Sequence, residues 1–137
     1  MKIKIDVLVE ANADHVWNCF TQPEHIIHWN AASDDWCCPS AQSDLKAGGS
    51  FSYRMEARDG SMGFDFSGEF LEVNPQTHIR IELDDQRSLE VWFEPVDGGI
   101  RVTEEFEAET MNPPELQQQG WQSILNAFQN YCQTANR

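Results

Sequence analysis

The stretch NPPELQQQGWQSILNAFQNYCQTAN, residues 112–136, decides the fold. Asn112 is a strong helix N-cap, Pro113 and Pro114 are tolerated in a first turn, and Glu115 completes a capping box with Asn112. Leu116, Trp121, Ile124, Leu125, Phe128, Tyr131, Cys132 and Ala135 recur at helical spacing and share one face. Gln117, Gln118, Gln122, Ser123, Asn126, Gln129, Asn130 and Gln133 fill the other. A helix of roughly 22 residues is about 33 Å long, enough to cross a small domain. Its apolar face needs a broad partner.

The preceding chain supplies one. Ile3, Ile5, Val7 and Val9 alternate with polar residues, the pattern of a half-buried strand. Asn12 caps a short helix over residues 13–20, and Thr21-Gln22-Pro23-Glu24 reads as a second capping box opening a helix to about His28. Residues 31–46 read as loop with a short edge strand over 36–42, closed by the Gly48-Gly49 turn. Strands follow in series. Phe51, Tyr53, Met55 and Ala57 lead to Arg58-Asp59-Gly60, a type I′ hairpin signal. Phe64, Phe66, Gly68 and Phe70 come next, with a change of parity at Leu71 and Val73 that predicts a bulge. Beyond Asn74-Pro75-Gln76 lie Ile79, Ile81 and Leu83, then Leu89, Val91 and Phe93. Asp97-Gly98-Gly99 turns into Ile100, Val102 and Phe106. The order predicts a single α+β domain over residues 1–137: a strand, two short helices, an antiparallel meander and a long helix that the sheet curves around.

Composition narrows the partners. The net charge of −14 repels phosphate backbones and anionic lipid, so neither nucleic acid nor a membrane is an expected partner. No apolar run approaches the ~20 residues of a membrane span, and the alternating N-terminus lacks a signal-peptide core. A cytoplasmic location is expected, with Cys19, Cys37, Cys38 and Cys132 as thiols.

Four motifs in order carry a resemblance. Val16-Trp17 followed by Thr21-Gln22-Pro23-Glu24 and Trp29, then Asp44-Leu45-Lys46-Ala47-Gly48-Gly49, then Gly68-Glu69-Phe70-Leu71-Glu72-Val73-Asn74-Pro75, then Gly120-Trp121, are similar to signatures of the activator-of-heat-shock-protein-90-ATPase-like family. The resemblance implies the helix-grip fold of the START and birch-pollen-allergen (Bet v 1-like, SRPBCC) superfamily. In that fold a curved antiparallel sheet, here of six to seven strands, wraps a long C-terminal helix and often encloses an apolar cavity. It implies no shared catalytic motif. Relatives bind lipids or hormones, some are polyketide cyclases, and the founding co-chaperones act on a chaperone.

The site residues follow from strand parity and aromatic content. Trp29, Trp36, Phe51, Tyr53, Met55, Phe64, Phe66, Trp121, Leu125 and Phe128 are expected to line a ligand pocket or else to fill the core outright. Glu104 shares the face of Ile100, Val102 and Phe106, so it points inward as a ligand anchor or catalytic acid, unless a bulge turns it to solvent. His25 and His28, at i and i+3, with Cys37 and Cys38, are zinc-type residues without a recognised ligand spacing, so no metal and no cofactor is expected. Trp92 faces away from the core and marks a partner surface or homodimer contact, or is covered by Arg80. The leading expectation is a non-enzymatic protein that binds a small hydrophobic or aromatic ligand. The alternatives are a cyclase- or hydrolase-type enzyme using Glu104 and a chaperone-binding module.

Overall fold

The computed structural model describes residues 1–135. It contains β1 (Lys2–Val9), α1 (Ala13–Thr21), α2 (Pro23–Trp29), β2 (Trp36–Ser43), β3 (Ser50–Ala57), β4 (Gly63–Asn74), β5 (His78–Leu83), β6 (Ser88–Val96), β7 (Gly99–Glu107) and α3 (Pro114–Thr134). The strands form one antiparallel sheet in the order β1-β7-β6-β5-β4-β3-β2. This curved seven-stranded sheet, holding a long C-terminal helix with two short helices after the first strand, is the helix-grip fold. Alternation built it: Ile3, Ile5, Val7 and Val9 are all buried while Lys2, Lys4 and Asp6 are exposed.

The core lies between the concave face and the helices. Phe106 of β7, Ile79 of β5, Ile26 of α2 and Leu125 and Phe128 of α3 are among its fully buried side chains. Each such side chain contributes about 1.5–3 kcal/mol on burial, so α3 anchors the domain. Phe128 meets the rings of Phe20 and Trp29 edge-on, at 5.2 and 5.1 Å between centroids. Thus all three helices meet at one aromatic cluster.

Both expected capping boxes are replaced. The N-cap of α3 is Pro113 and that of α2 is Gln22, and neither makes a side-chain capping bond. The reason is the same in each case. The residue before a proline is pushed out of the helical region, and Pro113 precedes Pro114 as Gln22 precedes Pro23. Their ψ angles are 143° and 130°. Thr21 therefore ends α1, and its hydroxyl donates back to Trp17 O at 2.7 Å. By contrast Asn12 does cap α1, its side chain accepting from His15 N at 2.8 Å. The expected helix end at Asn136 lies outside the described residues.

The glutamine face of α3 is a docking face. Gln122 and Gln129 donate to Asp6 O and Leu8 O of β1 at 3.2 and 2.7 Å, and Gln133 accepts from Glu10 N at 2.9 Å. These side chains meet backbone groups along the free edge of β1, an edge that would otherwise invite another strand. Gln117 is buried, bonding Glu109 N, Glu109 O and Asn112 O. Leu116, assigned to the apolar face, is 55% exposed. At the opposite edge β2 carries Pro39 and a register shift between Cys37 and Ser40, which limits pairing there.

Two connections refine the expected turns. The predicted bulge is present in β4, between Phe70 and Glu72. The β3–β4 hairpin is longer than a two-residue type I′ turn: Ala57 N bonds Met62 O, Gly60 N bonds Ala57 O, and Gly60 alone in the loop has positive φ, at 79°. A type I′ turn needs positive φ at Asp59 as well.

Candidate functional site: a cavity under the long helix

Curvature leaves a cavity of about 280 Å³ between the sheet and the helices. Its floor is the concave face, where strand period puts Phe51, Tyr53 and Met55 of β3 beside Phe64, Phe66 and Phe70 of β4. Ile79 and Ile81 of β5, Leu89 and Val91 of β6 and Glu104 of β7 continue it. Phe20, Trp29, Trp121 and Ile124 close the helical side, while Leu45 and Arg87 reach in from loops. Trp121 is held in place from two sides. It stacks on Phe106 at 3.9 Å and 10° and meets Phe66 edge-on at 5.9 Å.

The wall is apolar with few polar groups, which is the usual make-up of a small-molecule site. Thr21 spends its hydroxyl on α1, and Arg87 is committed to Asp85 at 2.7 Å and to Glu107 O at 3.1 Å. Glu104 differs. Its strand neighbours across the register are Ile5 and Val91, 3% and 0% exposed. Val102 and Phe106 flank it along β7 on the same face, each 0% exposed. Glu104 itself is half-buried because it borders the cavity; it makes no hydrogen bond or ion pair among the described residues, and desolvation pushes its carboxyl up to about 8. It lines the cavity, and desolvation favours its protonated, hydrogen-bond-donating form. Burial also pushes the Tyr53 phenol up, keeping it neutral.

Eight of the expected site residues line this cavity: Trp29, Phe51, Tyr53, Met55, Phe64, Phe66, Glu104 and Trp121. Three do not. Leu125 and Phe128 pack into the solid part of the core, 1% and 0% exposed; Leu125 follows Ile124 by one residue and so points about 100° around the helix from it. Trp36 stays outside, meeting Phe64 edge-on at 6.0 Å. Phe20, Thr21, Asn30, Leu45, Arg87 and Ile124 were missed. For Ile124 the helical pattern was a sufficient signal; loop residues such as Leu45 and Arg87 give none.

The zinc-type residues singled out by sequence do not assemble. His25 Nδ1 lies 2.6 Å from Tyr131 Oη and His28 stacks on the Tyr131 ring at 5.6 Å, so both turn toward α3. Cys38 is buried on β2, beside Ser40 O and Asn30. Instead, among the described residues, His15, Cys19 and Cys132 bring their ligand atoms within 4.8 Å of one another. Trp92 is half-buried under His78, stacked at 5.7 Å, and under Lys4 Nζ, 5.7 Å from the ring centre. Arg80 pairs with Glu72 instead of covering it.

Residues 10–133 match the family model described as Activator of Hsp90 ATPase homolog 1-like protein. The AHSA1-like protein from Aeromonas hydrophila is 43% identical, with a TM-score of 0.93 over 98% of this chain and 94% of that one. Chr148 from Cytophaga hutchinsonii is also 43% identical, with a TM-score of 0.84 over 95% and 90%. Protein NE0264 from Nitrosomonas europaea shares the fold, with a TM-score of 0.80 over 96% and 93% at 20% identity. No curated protein matches. No described helix is long and apolar enough to cross a membrane. The order of elements, the four motifs and two relatives of near-equal length agree: the chain belongs to the family of Activator of Hsp90 ATPase homolog 1-like proteins.

Proposed function

We propose that this chain is a binding protein for a small, largely apolar ring compound, held in the cavity between the sheet and α3. The observation that carries the reading is the aromatic cavity with one carboxyl on its wall that has no partner among the described residues. A ligand carbonyl, ether or ring nitrogen would accept from Glu104 while the rings of Phe51, Phe66 and Trp121 cover its faces. A volume of about 280 Å³ is small beside the ~300–1,000 Å³ of typical ligand sites. Compact aromatic ligands therefore suit it better than sterols or long acyl chains. Titration with fatty acids, sterols and aromatic polyketides, followed by tryptophan fluorescence, tests this, because Trp29 and Trp121 sit on the wall. The expected result is saturable quenching by the aromatic class, abolished by Ile124→Trp, which fills the cavity. A flat response to every compound sinks the reading.

One observation favours a second reading, an enzyme of cyclase or hydrolase type. A carboxyl pushed to about 8 has the proton affinity a general acid needs near neutral pH. Glu104→Gln separates the two readings: it keeps a hydrogen-bond donor and removes the transferable proton. Binding without turnover in the variant, against turnover in the parent, would identify the enzyme.

A further inference from the structure

A second cluster lies outside the cavity, where α1 meets the last turns of α3. His15 and Cys19 are i and i+4 on α1, hence on one face. Cys132 comes to them from α3. Both thiols are fully buried and His15 is half-buried, so His15 marks the side open to solvent.

The imidazole packs against both thiol-bearing residues. His15 Nε2 lies 2.8 Å from Cys132 O. A carbonyl can only accept, so Nε2 carries the hydrogen and, in the neutral ring, Nδ1 carries the lone pair. Metal-ligating histidines are commonly fixed in this way, with the other ring nitrogen donating to a backbone carbonyl. Cys19 Sγ lies 3.9 Å from Nδ1 and 3.6 Å from Nε2, over the ring, so a metal would require the imidazole to turn about its side-chain torsions to present a lone pair. Zinc bonds of ~2.3 Å to sulfur and ~2.0 Å to nitrogen, at a tetrahedral angle, separate the two ligand atoms by about 3.5 Å. Both ring nitrogens are within a few tenths of that value from Cys19 Sγ, and one ligand atom from each of the three residues lies within 4.8 Å of the others.

We infer that a ring nitrogen of His15, Cys19 Sγ and Cys132 Sγ form a binding site for a borderline-soft divalent cation, of which Zn²⁺ fits best. Two thiols give up their protons to the solvent as the metal enters. Two thiolates, one neutral imidazole and a dication then sum to zero charge, which suits a buried site; a monovalent cation would leave a net negative charge there. Three protein ligands leave the fourth tetrahedral position to water or an exogenous ligand on the His15 side. The bound ion would tie α1 to the end of α3, and so brace the helical wall of the cavity.

The test uses the reduced full chain and Co²⁺ as a spectroscopic stand-in for Zn²⁺, with Zn²⁺ competing. The expected result is one Co²⁺ per chain, with thiolate-to-cobalt charge-transfer absorption and intense tetrahedral d–d bands that Zn²⁺ displaces. His15→Ala should weaken binding by more than the ~10–100-fold that loss of an outer partner costs. Cys132→Ala should remove the charge-transfer intensity in part, and Cys37→Ala, which breaks the vicinal pair, should change nothing. Because Cys132 is a core residue, His15→Ala at the half-exposed position decides if that variant does not fold. No uptake by the reduced chain overturns the site. So does absorption that disappears with Cys37→Ala, or an affinity unchanged by His15→Ala.

Discussion

Glu104 sits where a strand of period two delivers it, among Ile5, Val91, Val102 and Phe106, and its carboxyl is held near 8. An ordinary glutamate in the unfolded chain titrates near 4.3. The folded state thus binds the proton more tightly. The penalty for an ionised Glu104 is absent below about pH 4, grows as the unfolded chain loses its proton, and levels off above about pH 8. Glu104→Gln removes this dependence. The variant should match the parent near pH 4 and exceed it at pH 8.5 by an amount on the order of a few kcal/mol. Urea denaturation of both proteins across that range measures the difference, and the subtraction cancels the contribution of the other carboxylates. A constant gap at all pH values would mean that Glu104 is not desolvated. The pair Leu116 and Gln117 makes a second residue-level case. Leu116 is 55% exposed, so Leu116→Gln should shift stability by less than about 0.5 kcal/mol. Gln117→Leu breaks three bonds and strands the Glu109 N–H, and should cost about 1–3 kcal/mol.

At the scale of the element, α3 plays two parts on two faces. Leu125, Phe128 and Cys132 bury into the core, while Gln122, Gln129 and Gln133 fasten the helix to the backbone of β1. Phe128→Ala should cost about 3–5 kcal/mol, the range for an aromatic lost from a packed core. It should also loosen the cavity wall, since Phe128 backs Phe20 and Trp29, which line it. Gln129→Ala removes one net hydrogen bond, about 0.5–1.5 kcal/mol, and leaves Leu8 O exposed at a strand edge. Its signature is faster amide exchange at the α3–β1 seam, with β4 and β5 unaffected. The Pro113-Pro114 and Gln22-Pro23 pairs show how one local rule overrides another. The capping-box spacing was present in both places, but the restriction on the residue before proline moved the cap by one position.

For the whole molecule, 23 acidic residues against 9 basic ones give a compact state that repels itself. The ion pairs between described residues, such as Asp6–Arg101 and Arg54–Asp65, are largely exposed and contribute little each. Screening should therefore help more than it harms. Going from ~0.01 M to ~0.15 M ionic strength shortens the Debye length from ~30 to ~8 Å, and the thermal midpoint should rise over that interval. A midpoint that falls with salt would show that the attractive pairs outweigh the net charge.

Much of the architecture was legible because period-two alternation and helical spacing are local properties. The positions of the hairpins, the bulge after Phe70 and the inward face of Glu104 could each be read from a dozen residues or fewer, and the long last helix from the 25 residues of 112–136. The role of the glutamines could not, since a polar helical face looks the same whether it meets water or a strand edge. Nor could the split of the aromatics into a cavity wall and a solid core. Phe66 and Trp121 border a void while Phe128 does not, and that follows from sheet curvature and the angle of α3. The meeting of His15 and Cys19 with Cys132 is of the same kind. They are more than a hundred residues apart along the chain, and only the packing of α1 on α3 puts them in contact. Hydrophobic pattern chose the elements; the closing of the sheet around the helix decided which side chains share a space.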